Sequence, residues 1–583
     1  MKKILSLLAV MLLLVAMPCT ASAQRHHHKL HIVTTGDVHG AWFREPFADG
    51  GRLRNSLACV KVYVDSLRNA VGKENVLFFD LGDCIQGSKA AYYADYVADT
   101  TQPHLFSRIA KYMGYDDIVV GNHDLETGHS VYDRVFMELA ESGIFLLAAN
   151  FLVNGTDVSY FFPYDVYTWE GMKVLVMGFG NSNIRNWLPE RLWNGIDFEP
   201  LPSFVQKSLD EVKKKVHPDL VIVLAHTGTG EGDGTAPEAQ GMDLFNSLKG
   251  VDLMVGAHDH RPFVMSSTGM TYMDGGSHAD HFAHAVIDVT QKNHKIKEKR
   301  IYAENISCRP TWYDKEMEEE FRADFEAIKE FSAKKVGRLE MDLHTRDAYR
   351  GQSDYLNLLH TVMLERPDVK ISIASPLTFD GSVYGGDFDF NGMFTLYPFE
   401  NELYILNLKG SELKSMMEYV YERVVVPLGE HALRVIHEPD LRNNLGEWSF
   451  EYPFYHYDSY GGIKYTVDLT RPEGERITIQ CLADGTPFEM DAYYPVAMTS
   501  FRASGGGHTI TEGTGLTSEE VAARVINKYP DIRNLIYDYF VEHQSVTHEL
   551  ISVESVVGSW KYVPEELVDP VIENDLRLVF GDE

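Results

Sequence analysis

The sequence predicts an α/β domain followed by a second domain of α+β type, and two features of the chain carry that prediction. From His31 to about Ala303, short apolar runs alternate with longer amphipathic stretches, as strands interleaved with helices do. From Val336 onward the alternation gives way to an aromatic, turn-rich stretch. The length of 583 residues exceeds what one hydrophobic core supports, and at about 100–200 residues per domain two or three domains follow.

Taken in order, the chain opens on an export leader at 1–23. Lys2 and Lys3 precede an apolar run from Ile4 to Met17, and Ala21-Ser22-Ala23 offers a cleavage site before Gln24. That run is shorter than the roughly 20 residues of a membrane span. Cys19 raises the question of a lipid anchor, but Met17-Pro18 before it argues for simple cleavage. The expected location is periplasmic or outer-surface, with no transmembrane segment. His26-His27-His28 would then be a mobile tail with no structural metal role.

Leu30-His31-Ile32-Val33-Thr34-Thr35, Val76 to Asp80, Ile118 to Val120, Lys173 to Gly178, Leu220 to Leu224 and Val251 to Val255 read as buried strands. Asn55 to Leu67 and Ser203 to Lys215 read as helices between them. These define a first domain at 30–305. An acidic, Lys-containing helix between Thr311 and Lys335 reads as a connector within 306–335. A second domain follows at 336–544, and the mixed segment 545–583 is an extension to which the sequence assigns no role.

Charge narrows the partners. With 53 basic and 85 acidic residues, the chain carries a formal −32 and repels nucleic-acid polymers and anionic membranes. A small phosphorylated substrate is compatible if bound cations reverse the field locally. Beyond the leader, Cys59, Cys84, Cys308 and Cys481 are too scattered for a disulfide framework and read as free thiols. Oligomeric state has no signature.

The chemistry sits in five polar blocks, each directly after an expected strand. They are Gly36-Asp37-Val38-His39-Gly40, Gly82-Asp83, Gly121-Asn122-His123-Asp124, Ala225-His226 and Gly256-Ala257-His258-Asp259-His260. Loops at one edge of an α/β sheet converge, so these groups meet. Carboxylate, amide and imidazole ligands suit Zn²⁺, Mn²⁺ or similar ions. A lone buried histidine is more often packing than ligand. Five blocks in sequence would strand many polar groups at about 1–3 kcal/mol each unless something binds them.

These ordered motifs resemble the calcineurin-like metallophosphoesterases, and in particular the bacterial branch of 5′-nucleotidases and 2′,3′-cyclic-nucleotide 2′-phosphodiesterase/3′-nucleotidases. The resemblance runs from about His31 to Glu542. It implies a four-layer β-sandwich flanked by helices, joined to a 5′-nucleotidase-type α+β substrate domain. It implies that Asp37, His39 and His260 hold one divalent ion, that Asn122, His226 and His258 hold another, and that Asp83 bridges them. Such a pair lies about 3.5–4 Å apart, clamps an in-line displacement at phosphorus and lowers the pKa of a bound water.

By the same resemblance His123 supports the leaving oxygen, with Glu126 standing where the family has an orienting Asp. Asp124 reads as structural, and His278, His281 and His284 as packing around the site. Phe399, in Tyr397-Pro398-Phe399-Glu400-Asn401, and Phe501, in Phe501-Arg502-Ala503-Ser504-Gly505-Gly506-Gly507, stand at the base-stacking positions. Such stacking contributes about 1–3 kcal/mol per base.

The departures concern the substrate. Gly505-Gly506-Gly507-His508 replaces Gly-Gly-Asp-Gly, so the ribose-binding Asp is missing, and Ser375-Pro376-Leu377-Thr378-Phe379-Asp380 replaces an Arg-ending loop. Gly82-Asp83-Cys84-Ile85-Gln86-Gly87-Ser88, Ala225-His226-Thr227-Gly228 and Phe501-Arg502-Ala503 look more like the cyclic-phosphodiesterase branch. The expected activity is therefore hydrolysis of nucleotide monophosphates, 2′,3′-cyclic nucleotides or both. A nucleotide-sugar or general phosphate-ester hydrolase, and a non-catalytic surface binding protein of the same fold, are the alternatives.

Overall fold

The computed structural model describes residues 25–48, 51–267, 269–292, 295–439 and 446–581. The expected leader and Cys19 lie outside them. Each apolar run of the first domain forms a strand whose alternate side chains enter different cores, which is why the runs are continuously apolar. In the strand His26–Thr35, Ile32 faces one core and Val33 another. Val174 and Val176 of Met172–Phe179 share the core of Ile32, while Leu175 and Met177 turn to a third.

Two six-stranded sheets result. The first runs Lys295–Ser307, His281–Lys292, His26–Thr35, Val76–Asp80, Asp117–Val119, Phe145–Leu147, and its last four strands are parallel. The second runs Pro262–Ser266, Thr271–Gly275, Leu253–Gly256, Leu220–Ala225, Met172–Phe179, Tyr164–Trp169. The sheets face each other across the core that holds Leu30, Phe79, Ile222 and Val255. Helices Leu57–Val71, Leu105–Met113 and His129–Glu141 cover one outer face, and Leu201–Val216 with Gly241–Ser247 covers the other. This is the four-layer sandwich.

His26-His27-His28 is not a tail. All three residues extend the first strand, pairing with Gln291, Thr290 and Val289, because a backbone ladder accepts polar side chains as readily as apolar ones at a sheet end. The connector forms two helices, Lys315–Glu320 and Arg322–Ser332, which pack onto the first domain through Met317, Phe321 and Ile328. Arg44–Glu318 at 2.9 Å and Arg322–Glu45 at 2.8 Å fasten them there.

The second domain is built on a five-stranded sheet: Ser459–Gly461, Ile371–Ala374, Tyr493–Thr499, Glu402–Lys409, Val525–Asp531. Helices Asp354–Leu364 and Ile532–His543 pack on one side of it and Gly410–Val424 on the other. Residues 545–581 join this domain. The strand Gly558–Val563 pairs in parallel with Ile463–Asp468, and Val568, Ile572 and Leu576 of helix Glu565–Phe580 enter the core. Asp575, fully buried, accepts from the Ala432 and Leu433 backbone N–H groups at 2.8 Å. Cys59 and Cys84 are buried free thiols, and Cys308 and Cys481 are free and half-buried. Among the described residues no helix is long and apolar enough to cross a membrane.

Candidate metal centre and cleft

The polar blocks lie at the C-terminal ends of parallel strands from both sheets, and the backbone there is bent to bring them together. Asp37, His39, Asp83, His258 and His260 all have positive φ, between 48° and 90°. Non-glycine residues in that region cost roughly 1–3 kcal/mol each and persist where surrounding contacts over-determine them. Asp37 N–H donates to the Gly82 carbonyl at 2.9 Å, and His39 N–H to the Asp83 carbonyl at 2.8 Å. Two glycines permit the approach. A Cβ on Gly82 (φ +94°) would lie 2.4 Å from Gly121 N, and one on Gly121 would lie 2.1 Å from Asp83 Oδ1.

Three groups of potential ligands emerge, with ligand atoms in each within 4.8 Å of one another: Asp37, His39 and His260; Asp83, His226 and His258; His39, Asp83 and His123. Asn122 Oδ1 is 3.1 Å from His226 Nε2, as is Asp83 Oδ2. Asp37 Oδ1 lies 3.8 Å from His260 Nε2 and 4.0 Å from His226 Nε2. The structure thus assembles all seven expected ligands at one place.

Donor chemistry tests whether they fit cations. His39 Nδ1 is 3.1 Å from the Gln86 carbonyl and His226 Nδ1 is 2.6 Å from that of Leu81. A carbonyl only accepts, so each Nδ1 carries hydrogen, the orientation that leaves Nε2 free for a metal. Asp37 Oδ1 and Asp83 Oδ2 are buried without any hydrogen-bond donor, which is costly unless a cation is coordinated there.

Electrostatics agrees. Burial, then neighbouring imidazoles, holds His258 and His260 at about 3 and His39 well below the usual range, so these rings are neutral. Burial also depresses His226 and His123, but Asp83 outweighs it at His226, and Glu126 with Asp83 at His123; both stand at about 10 with no cation beside them, and an ion held at His226 Nε2 would take the place of the proton that Asp83 favours there. Burial pushes Asp37 up, the response of a carboxylate that lacks a counter-cation.

His123 and Glu126 share the short helix Asn122–Glu126, and His123 Nδ1 lies 3.0 Å from Glu126 Oε1. Asp124 faces away from the centre. Its carboxylate accepts four backbone N–H groups, from Asp83, Cys84 and Gly121 at 2.8–2.9 Å and from Ile85 at 3.2 Å. His278 is exposed, with its ring 5.3 Å from that of His39. His284 packs away from the cleft on His31 and Tyr63, 3.0 Å from each, and His281 begins the same strand.

A cleft of about 1820 Å³ opens over the centre and is walled by both domains. His39, Asn122, His123, Glu126, His258 and His260 lie on the first-domain side, Phe399 and Phe501 on the other. Phe501 meets Tyr455 edge-on at 6.1 Å, and its ring lies where a Cβ of Gly506 would be, 2.5 Å away. Sequence reasoning missed Trp187, stacked on His258 at 5.3 Å, and Glu238, Arg423 and the aromatic run from Tyr452 to His456 in the cleft wall. None belongs to a motif, although Tyr452-Pro453-Phe454-Tyr455-His456 is conspicuously aromatic.

Residues 30–262 match the family model for calcineurin-like phosphoesterases, and residues 334–512 match that for the 5′-nucleotidase C-terminal domain. A 5′-nucleotidase of Vibrio cholerae is 22% identical over 532 residues, 84% of this chain and 87% of that protein. The trifunctional nucleotide phosphoesterase YfkN of Bacillus subtilis is also 22% identical, over 90% of this chain, which spans 38% of that protein. A Staphylococcus aureus structure assigned as a 5′-nucleotidase, solved with α-ketoglutarate, shares the fold at a TM-score of 0.74 and 19% identity, covering 92% of this chain and 99% of its own.

Proposed function

The chain belongs to the calcineurin-like phosphoesterases that carry a 5′-nucleotidase C-terminal domain, metal-dependent enzymes that hydrolyse phosphoric esters, and on that premise we propose that it is an exported, dinuclear-metal hydrolase of small nucleotides. Its substrates are nucleoside monophosphates, 2′,3′-cyclic nucleotides or both. The observation that carries this reading is the convergence of seven N and O ligands, two of them carboxylates with donorless buried oxygens, beneath a cleft with aromatic side chains on its far wall. Export rests on the leader pattern ending at Ala23.

Asp37, His39 and His260 would hold one ion, Asn122, His226 and His258 the other, with Asp83 between them. Once bound, two divalent ions supply Lewis acidity at the phosphoryl oxygens and a water acidified to near neutral pH. The chain's own residues do the rest. The Gln86 and Leu81 carbonyls fix the His39 and His226 rings. Glu126 holds the His123 ring and keeps a proton on it at the floor of the cleft. As the water oxygen bonds to phosphorus and the ester P–O bond breaks, His123 would give the proton on its other ring nitrogen, Nε2, to the departing oxygen. Phe399 and Phe501 hold the base and fix the phosphate above the ligands.

Phosphate release by metal-stripped protein refilled with Mn²⁺ or Zn²⁺ tests this, with 5′-AMP, 3′-AMP, 2′,3′-cyclic AMP and a base-free phosphate ester as substrates. Metal-dependent release that favours one nucleotide is expected. Equal release from the base-free ester would remove the aromatic clamp from the account, and no release from any ester would leave a binding protein.

A further inference from the structure

Behind the expected two-metal centre the chain buries a second set of oxygens. Asp274 and Tyr272 stand two residues apart on the strand Thr271–Gly275, so their side chains share a face, and both residues are fully buried. Asp274 Oδ1 accepts the Gly276 N–H at 2.8 Å. Its Oδ2 and the Tyr272 hydroxyl have no hydrogen-bond partner among the described residues. Asp259 Oδ1 and Thr229 Oγ1 are buried and unpartnered in the same way, although Asp259 Oδ2 accepts the Thr229 N–H at 2.7 Å.

These four oxygens are neighbours. The Tyr272 hydroxyl is wedged between two loops: a Cβ on Gly241 would lie 2.3 Å from it, and one on Gly256 2.5 Å. Thr229 Oγ1 lies beside that hydroxyl, short of full hydrogen-bond geometry, and the Asp274 and Asp259 carboxylates both act on it. Gly256 pairs with Asp274 across the sheet, and a Cβ on Gly228 would lie 3.4 Å from that of Asp259. Burial, and after it Asp259 and Asp37, pushes the Asp274 carboxyl well up, as happens to a buried acid without a counter-charge. Hydroxyls this near carboxylates ordinarily close onto them in hydrogen bonds. Oxygens around one Ca²⁺, each about 2.3–2.6 Å from the ion, instead stand roughly 3–5 Å from one another.

We propose that Asp259 Oδ1, Asp274 Oδ2, Thr229 Oγ1 and the Tyr272 hydroxyl form a site for a third cation, of the calcium class, separate from the two-metal centre. The donors are all oxygen, which suits a hard ion and gives zinc neither nitrogen nor sulfur. Two carboxylates match a double charge. A dry, irregular cage suits calcium, which takes about six to eight ligands in flexible geometry, whereas magnesium holds on to its waters. Asp259 and Gly228 line the cleft, which gives the ion a way in. Its role follows from what it joins. Thr229 is three residues past His226, Asp259 lies between His258 and His260, and Asp274 belongs to the neighbouring strand. The ion clasps the loops that carry these three expected ligands onto the sheet.

Equilibrium dialysis of the full-length, Mn²⁺-loaded protein against ⁴⁵Ca²⁺ tests it, at about 0.15 M salt to screen diffuse binding to the acidic surface. Wild type is expected to bind one Ca²⁺ per chain with a Kd below about 1 mM, and an equal concentration of Mg²⁺ should not displace it. Asp274→Asn keeps the side-chain shape without its charge. It should raise that Kd at least about tenfold while the Mn²⁺ content, read by atomic emission, stays at the wild-type level. Tyr272→Phe, which keeps the packing, should weaken Ca²⁺ binding in the same sense. A wild-type protein without a saturable Ca²⁺ site would overturn the proposal, and so would unchanged binding in both variants or displacement by Mg²⁺. Loss of Mn²⁺ in step with Ca²⁺ would also overturn it, by placing the calcium in the two-metal centre. Ion counts are read without any phosphate ester, so this outcome is independent of whether the protein hydrolyses nucleotides.

Discussion

The residue that best separates architecture from chemistry is Asp124. It lies between His123 and Glu126 in the chain, yet its carboxylate is spent on four backbone N–H groups that fix the loops carrying Asp83 and Asn122. Asp124→Asn would turn an amide N–H₂ onto some of those donors, and the cost should appear as loosened ligands. Metal affinity is expected to fall roughly 10–100-fold, read as metal retained after dialysis against graded chelator; retention equal to wild type would show that the loops hold without it. Glu126 is the complementary case. Its Oε1 reaches His123 Nδ1 at 3.0 Å, so the longer arm of Glu does not prevent the contact. Glu126→Gln should lower kcat roughly 10–100-fold with KM little changed, and Glu126→Asp should recover part of it. Wild-type kcat in Glu126→Gln would make this carboxylate a passive member of its helix.

At the scale of elements, the second domain is tied together by buried polar contacts. His360, on helix Asp354–Leu364, is 2.8 Å from Ser372 Oγ on one strand and 2.9 Å from Ser459 Oγ on the next. Burial alone pulls its pKa to about 3. Its folded value lies below the unfolded one of about 6.5, so its contribution is complete above pH 6.5 and is lost as pH falls toward 3. His360→Gln should be less stable than wild type by about 1–3 kcal/mol at pH 7.5, and the gap should narrow by up to about 1.4 kcal/mol per pH unit below 6.5. Urea unfolding across that range measures it; a gap that ignores pH would mean the ring is not buried neutral. Elements of this kind also mark what the sequence can and cannot reveal. Strands such as Leu220–Ala225 were legible because both faces are buried and the run is unbroken. Gly558–Val563 was not, because what makes it a strand is its partner Ile463–Asp468, far upstream. His26-His27-His28 misled for the same reason: its pairing with Gln291 to Val289 is a backbone matter on which side chains are silent. The convergence of the polar blocks was legible because each block follows directly after a buried strand.

Across the whole molecule, the expected metal ligands belong to one domain and Phe399 and Phe501 to the other, so the cleft is only as fixed as the contacts that join them. Those contacts include polar pairs, Lys89 Nζ to Asn391 Oδ1 at 2.6 Å, Arg191 to Glu402 at 2.5 Å and Tyr96 OH to Glu400 at 3.2 Å, and ring contacts such as Tyr92 on Phe394 at 5.4 Å. Arg533 lies over the Tyr92 ring at 4.9 Å, and Phe331 of the connector meets Phe390 at 4.6 Å. The more exposed polar pairs among them contribute about 0–1 kcal/mol each, and interdomain surfaces that are not large and hydrophobic permit relative motion by default. The motion expected on that ground is that the second domain swings about the connector to admit substrate and release product, with closure completing the site. Lys89→Cys and Asn391→Cys, joined by a short bis-maleimide in a background where Cys308 and Cys481 are Ser, would lock the closed arrangement. Turnover should drop by more than tenfold on locking, on the view that a gated step limits release, whereas the same protein carrying monofunctional maleimide on both cysteines should keep its rate. If the locked protein turned over as fast as this control, substrate would be entering a cleft that never opens, and the weakness of the interdomain contacts would have no part in catalysis.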